Sequence, residues 1–105
     1  MSESAVQSAI YALSHQKVAA QDKWSHLLIT PERISRLIEV VEHNKDNFQH
    51  TNLYLDILYS WRDGDYSNSV KAHNDIWALQ SGTIGIATSL LTPEEEQQYI
   101  EQHFE

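Results

Sequence analysis

Leu53-Tyr54-Leu55-Asp56-Ile57-Leu58-Tyr59-Ser60-Trp61 is the stretch on which the reading of the fold turns. On a helix its apolar side chains sweep an arc of roughly 240°, at about 100° per residue. Asp56 and Ser60, one turn apart, interrupt that arc. A helix apolar over so much of its circumference needs neighbours on most sides. The other candidate helices each carry one apolar stripe, so the spacing predicts that they pack around this one. The expectation is an all-α domain: a compact bundle of four main helices plus short helical pieces around a central apolar helix at about 51–62.

Downstream, Trp61-Arg62-Asp63-Gly64 closes the central helix, with Gly64 suited to a left-handed C′ position. Asp65 or Ser67 is placed to cap a fourth helix from Asn68 to about Ser81, with Val70, His73, Ile76 and Trp77 on one face. Gly82 stops or kinks it. The small apolar run Gly82 to Leu91 reads as a short helix or a buried turn against the central helix. Thr92-Pro93-Glu94-Glu95 is a capping box, starting a last helix with Tyr99, Ile100 and Phe104 inward.

Upstream, Asn44 to Asn52 is polar and turn-rich, anchored by Phe48, with Thr51 or Asn52 as cap of the central helix. Thr30-Pro31-Glu32 is another start signal: a threonine N-cap, a proline at N1 and an acid in the first turn. Ile29 and Ile34 flank it as a hydrophobic staple. Ile34, Leu37, Ile38 and Val41 form the buried stripe of that helix, with Glu39, Glu42 and His43 away from it. Trp24 to Ile29 is a short apolar connector. The first helix opens at Ser2 or Ser4 and buries Val6, Ala9, Ile10 and Leu13, with Tyr11 and His15 on the other side. Continuing it through Val18 and Ala20 would put Lys17 in the apolar stripe, so a bend or fraying is expected between Ser14 and Lys17.

The 105 residues make one domain, 1–105, of modal size. There is no cysteine, hence no disulfide framework and no thiolate metal site. Fifteen acids against seven bases give a net charge of −8. Such a surface repels phosphate backbones and anionic lipid, which argues against nucleic acid as a partner and for a basic protein or peptide. No apolar run reaches bilayer length and no signal peptide opens the sequence, so direct membrane insertion is not expected.

Four pieces carry a resemblance: His15-Gln16-Lys17-Val18, Trp61-Arg62-Asp63-Gly64-Asp65-Tyr66-Ser67, His73-Asn74-Asp75-Ile76-Trp77-Ala78-Leu79-Gln80 and Gly82-Thr83-Ile84-Gly85. From Ser8 to Phe104 the chain resembles an uncharacterised family of small helical domains from Gram-positive bacteria, a domain of unknown function. The resemblance implies the helical fold and supplies no catalytic residues. It also implies that such domains often follow an N-terminal membrane-anchoring segment. The chain as it stands reads as cytoplasmic, or as extracytoplasmic if such a segment has been trimmed.

His73, among Val70, Ile76 and Trp77 on an apolar face, is the most suggestive side chain; it is either a ligand contact or a half-buried structural histidine. It is expected to be at least half buried and close to the central helix. Asp56 with Ser60 is either a polar spot in a pocket facing His73 or His15, or an exposed edge of its helix. The candidate binding residues are thus Tyr11, His15, Asp56, His73 and Trp77. No metal site is expected. The six histidines, at 15, 26, 43, 50, 73 and 103, contain no i, i+4 pair, and Glu39 with His43 has no third ligand nearby. A Gly-x-Ser-x-Gly turn and a phosphate loop are both absent, so no catalytic residue and no cofactor is assigned, and the reading leans away from an enzyme. The leading expectation is a non-catalytic interaction or regulatory module, one form of which is an inhibitor of a basic partner. It would pair an acidic surface with some of the many aromatics, among them Tyr54, Tyr59, Trp61 and Tyr66. The rival is a small-molecule binder or enzyme with a pocket around His15, Asp56 and His73. Oligomeric state is not encoded in any pattern found.

Overall fold

The local start and stop signals set the elements. In the structure, a computed structural model, residues 1–20, 26–80 and 87–104 are described. Helix α1 (Glu3–Ser14) starts at Ser2, whose hydroxyl accepts the Ala5 N–H at 3.1 Å. Strand β1 (Val18–Ala20) comes after a tight turn. Helix α2 (Pro31–His43) has Thr30 as N-cap, accepting the Arg33 N–H at 3.1 Å, with Pro31 at N1. Helices α3 (Thr51–Arg62) and α4 (Ser69–Leu79), strand β2 (Ala87–Leu90) and helix α5 (Pro93–Phe104) complete the chain. The capping box is reciprocal: Thr92 N–H donates to Glu95 at 2.9 Å and Glu95 N–H to Thr92 at 3.2 Å.

The all-α expectation holds, with five helices and one two-stranded sheet among the described residues. Helix α3 lies nearest α2, and α4 lies nearest α1. One core joins all four through Val6, Ile10 and Leu13 of α1, Ile34 to Val41 of α2, Ala72 and Ile76 of α4, and α3. Helix α3 contributes Trp61 and Tyr54, the two largest fully buried side chains. The chain's radius of gyration of 13.0 Å is what close packing of about 100 residues gives.

Three expectations change. The small apolar run before α5 is neither helix nor turn where it is described: Ala87–Leu90 is a strand, antiparallel to β1 with Val18 opposite Leu90, Ala19 opposite Ser89 and Ala20 opposite Ala87. Residues 82–86 of that run, and Trp24 of the connector, lie outside the described residues. The expected bend after Ser14 is present as a turn, with Gln16 N–H bonded to Leu13 O and Lys17 N–H to Ser14 O. Beyond this turn the chain runs as strand rather than as more helix, because β2 is available to pair with it. Second, α3 is not capped by Thr51 or Asn52. The Glu3 carboxylate reaches across from α1 and accepts the N–H groups of Gln49 and His50 and the hydroxyl of Tyr54. Third, neither Asp65 nor Ser67 caps α4. Asp65 Oδ1 accepts the Ser67 N–H and hydroxyl within its own turn, and Asn68, at the N-cap, accepts the Trp61 indole N–H instead.

Candidate functional site

Helix α1 is buried on two sides, since the core takes Val6, Ile10 and Leu13 while α4 covers the opposite face. That second face carries Tyr11 and His15, and α4 turns Ser69, Ala72, His73 and Ile76 toward the interior. His15 and His73 are both 0% exposed. Tyr11 stacks at a tilt on His73, centroids 4.4 Å apart, and meets His15 edge-on at 4.7 Å; the two imidazoles are 5.3 Å apart. His73 is therefore buried as predicted, but its ring neighbours belong to α1 and not to the central helix. Val70 and Trp77, placed by sequence on the same face, are only half buried, because the inward face of α4 is rotated toward Ala72.

The rings continue toward α5. His15 lies 6.2 Å from His26, which stacks on His103 at 3.7 Å with 17° between planes. His26 Nδ1 and the Tyr99 hydroxyl are hydrogen-bonded at 2.6 Å. Burial pushes the Tyr99 phenol up to about 12. Beside this string, Gln16, in the turn after α1, ties the connector before α2 to α5: its amide donates to Glu96 at 2.8 Å and accepts the Ile29 N–H at 3.0 Å. Lys17 bonds the other oxygen of Glu96 at 2.9 Å and lies 4.2 Å above the Tyr66 ring. Asn74 clamps β2 to α4, donating to Ala87 O at 2.9 Å and accepting its N–H at 2.7 Å.

Of the sequence-named residues, Tyr11, His15 and His73 come together. Asp56 does not: it is exposed on the edge of α3, in a shallow depression of about 240 Å³ shared with Lys71 and Asp75. The pocket imagined around His15, Asp56 and His73 is thus not assembled. Five surface depressions are described, and none is lined by Tyr11, His15 or His73. A general base has to reach a substrate atom, directly or through one water, and these two imidazoles are sealed from solvent. His26 and His103 were not singled out by sequence, and Tyr99 was placed there as an inward side chain of the last helix. Tyr99 and His103 are i, i+4 on α5 and could have been paired, whereas His26 sits in a non-periodic connector. Among the described residues no group of three or more His, Asp or Glu side chains is placed to hold a metal ion. The His26–His103 stack presents ring faces to each other, whereas coordination needs nitrogen lone pairs that converge.

A family of unknown function, DUF6241, matches residues 10–101. The chain belongs to this family. The match takes in the rings from Tyr11 to Tyr99 and leaves out the first two turns of α1 and the last residues of α5, His103 among them. No curated protein and no solved structure matches the chain. Among the described residues no helix is long and apolar enough to cross a membrane.

Proposed function

We propose that the domain is a non-catalytic interaction module that offers the outer face of α5 to a basic protein or peptide. The observation that supports this is the division of labour on α5. Its inward side holds Glu96 and Tyr99 against Lys17, Gln16 and His26, while Glu94, Glu95 and Glu101 are exposed and no lysine or arginine lies among them. The helix is thereby a rigid carrier of uncompensated negative charge, which steers and orients a cationic partner. Tyr66 adds an aromatic side chain near Glu96, with Lys17 4.2 Å above its ring. It is half buried, and burial, followed by the nearby Glu96 carboxylate, raises its phenol above the usual 10. Such a module fits an inhibitor of a basic partner, and the Gram-positive origin implied by the sequence resemblance belongs to this reading, since the family match names no organism.

The test is a fluorescence titration with a labelled lysine-rich peptide. Binding should be saturable and weaken with salt. Replacing Glu94, Glu95 and Glu101 by Lys should weaken it by about tenfold or more. The same charge change at Glu39, Asp46 and Asp63, all exposed elsewhere, should weaken it much less. Equal losses in the two variants would reduce the effect to net charge and defeat the assignment to α5.

A further inference from the structure

Helix α5 is attached differently from the other four. Among the described residues, the apolar cluster that joins α1 to α4 takes no side chain from α5. Tyr99 is buried, at 7% exposed, but lies outside that cluster. A short row of side chains fastens α5 to the turn after α1 and to the connector before α2. Glu96 takes Gln16 at 2.8 Å and Lys17 at 2.9 Å. Further along, His26 bonds the Tyr99 hydroxyl at 2.6 Å and stacks on His103, with ring centroids 3.7 Å apart and planes at 17°. Histidine is the side chain that gains positive charge in the mildly acidic range. Two of them thus lie face to face across the junction between α5 and the body.

We propose that the His26–His103 stack is an acid-released latch, which holds α5 on the body at neutral pH and lets it go when both rings carry a proton. The described groups that face the pair set the direction. From α5, the Tyr99 ring lies 4.6 Å from His103 and 5.4 Å from His26, which suits one cation. The Tyr99 hydroxyl serves His26 in either state, donating to a neutral ring or accepting from a protonated one. From the turn after α1, His15 adds a third imidazole 6.2 Å from His26, with Tyr11 and His73 behind it. The Glu96 carboxylate, on the inward side of α5, is taken by Gln16 and by Lys17, whose charge offsets its own. The first proton is therefore accommodated between the rings. The second sets like charges in contact, where their repulsion is strongest, so the pair titrates as a unit and opens on its second step. Once released, α5 has twelve residues, a length at which an isolated helix is marginal in water. It should therefore melt while the cluster of α1 to α4 stays packed.

The latch concerns how α5 is attached, whatever its outer face binds, and the chain alone tests it. Amide-exchange protection is measured residue by residue at about pH 7.5 and about pH 5, through the imidazole range and above the ordinary carboxylate values of about 4. Protection in α5 should fall by about tenfold or more at the lower pH, while α2 and α3 keep theirs. His103→Phe keeps a stacking ring that cannot charge, and should hold α5 in place at both pH values. His103→Arg keeps a flat, stacking group that is always charged, so a single proton on His26 should free α5 and the opening should move to higher pH. His43→Gln, at an exposed histidine on α2, should behave as wild type. Since His103 is exposed, the variants should keep the wild-type circular dichroism at pH 7.5. Unchanged protection in α5 at pH 5 would overturn the proposal. So would an equal loss in every helix, which would place the acid lability in the buried His15 and His73, or a loss in His103→Phe equal to that of wild type. An opening in His103→Arg at the wild-type pH or below would also reject the latch.

Discussion

His73 and His43 look alike in composition and differ in every physical respect. His73 is sealed between Tyr11 and His15, whereas His43 is exposed at the end of α2. His73→Ala is therefore expected to destabilise the fold by about 1–3 kcal/mol through lost packing. His43→Ala should stay within about 0.5 kcal/mol of wild type. Urea melts compare the two, and equal midpoints would mean that the buried ring contacts contribute nothing. The tyrosines make a second residue-scale prediction. All five phenols are raised above 10: Tyr54 to about 12 by burial and then its bond to Glu3, Tyr99 to about 12 by burial, and Tyr11, Tyr59 and Tyr66 by less. An acid whose folded pKa lies above its unfolded value favours the fold while protonated. Stability should thus hold up to about pH 10, the unfolded phenol value, and fall as pH rises further. Tyrosinate absorbance followed with alkaline melts checks this, and Tyr54→Phe or Tyr99→Phe should flatten the fall. Glu3 acts on the acid side. Its burial works against the charge, but the Tyr54 hydroxyl and the Gln49 and His50 N–H groups outweigh it, so its pKa drops below the usual 4.5. Its contribution is present above that value and lost as pH falls through the lower one.

The elements test the local rules one by one. Helix α3 ends with Gly64 at φ 82°, its N–H on Trp61 O at 3.0 Å and the Asp65 N–H on Ser60 O at 2.9 Å, the paired bonds of a Schellman cap. A Cβ added at Gly64 would meet nothing within 4 Å. The cost of Gly64→Ala is therefore torsional, about 1 kcal/mol, and calorimetry should show a melting point lower by about 4–8 °C. An unchanged melting point would contradict the left-handed cap. For α5, Thr92→Ala removes one half of the capping box and should weaken that helix by about 1 kcal/mol. Amide exchange should quicken in α5 and stay as it was in α2 and α3. These starts and stops were readable because a cap and its target lie within a few residues of each other. The two strands were not. Three and four residues make no periodic signal, and their partner lies some seventy positions away.

Across the whole molecule, charge is the property that composition already carries. With −8 overall and its seven bases scattered along the chain, the protein should show no measurable affinity for duplex DNA or anionic vesicles at physiological salt. Salt-dependent retention on a DNA column would contradict this. The pairing of α1 with α4 and of α2 with α3 leaves the central helix the source of the largest buried side chains while moving His73 away from it. It also explains why the imagined pocket fails. Asp56 sits on the outer edge of one pair and the two buried histidines lie inside the other, so spacing along α3 said nothing about their distance.

The sequence by itself determined the helical class, the ends of α1, α2 and α5, the glycine cap of α3, the burial of His73 and the sign of the surface. Each rests on interactions within one or two helical turns or on composition. Only the tertiary structure decided that Glu3 caps α3 from another helix, that Val18–Ala20 and Ala87–Leu90 pair as strands, and that His15, His26, His73 and His103 join in one string of rings from α4 to α5. These contacts bring together residues from separate elements. They form because burying the shared core fixes which helix faces meet, and that choice is made by packing the whole chain at once.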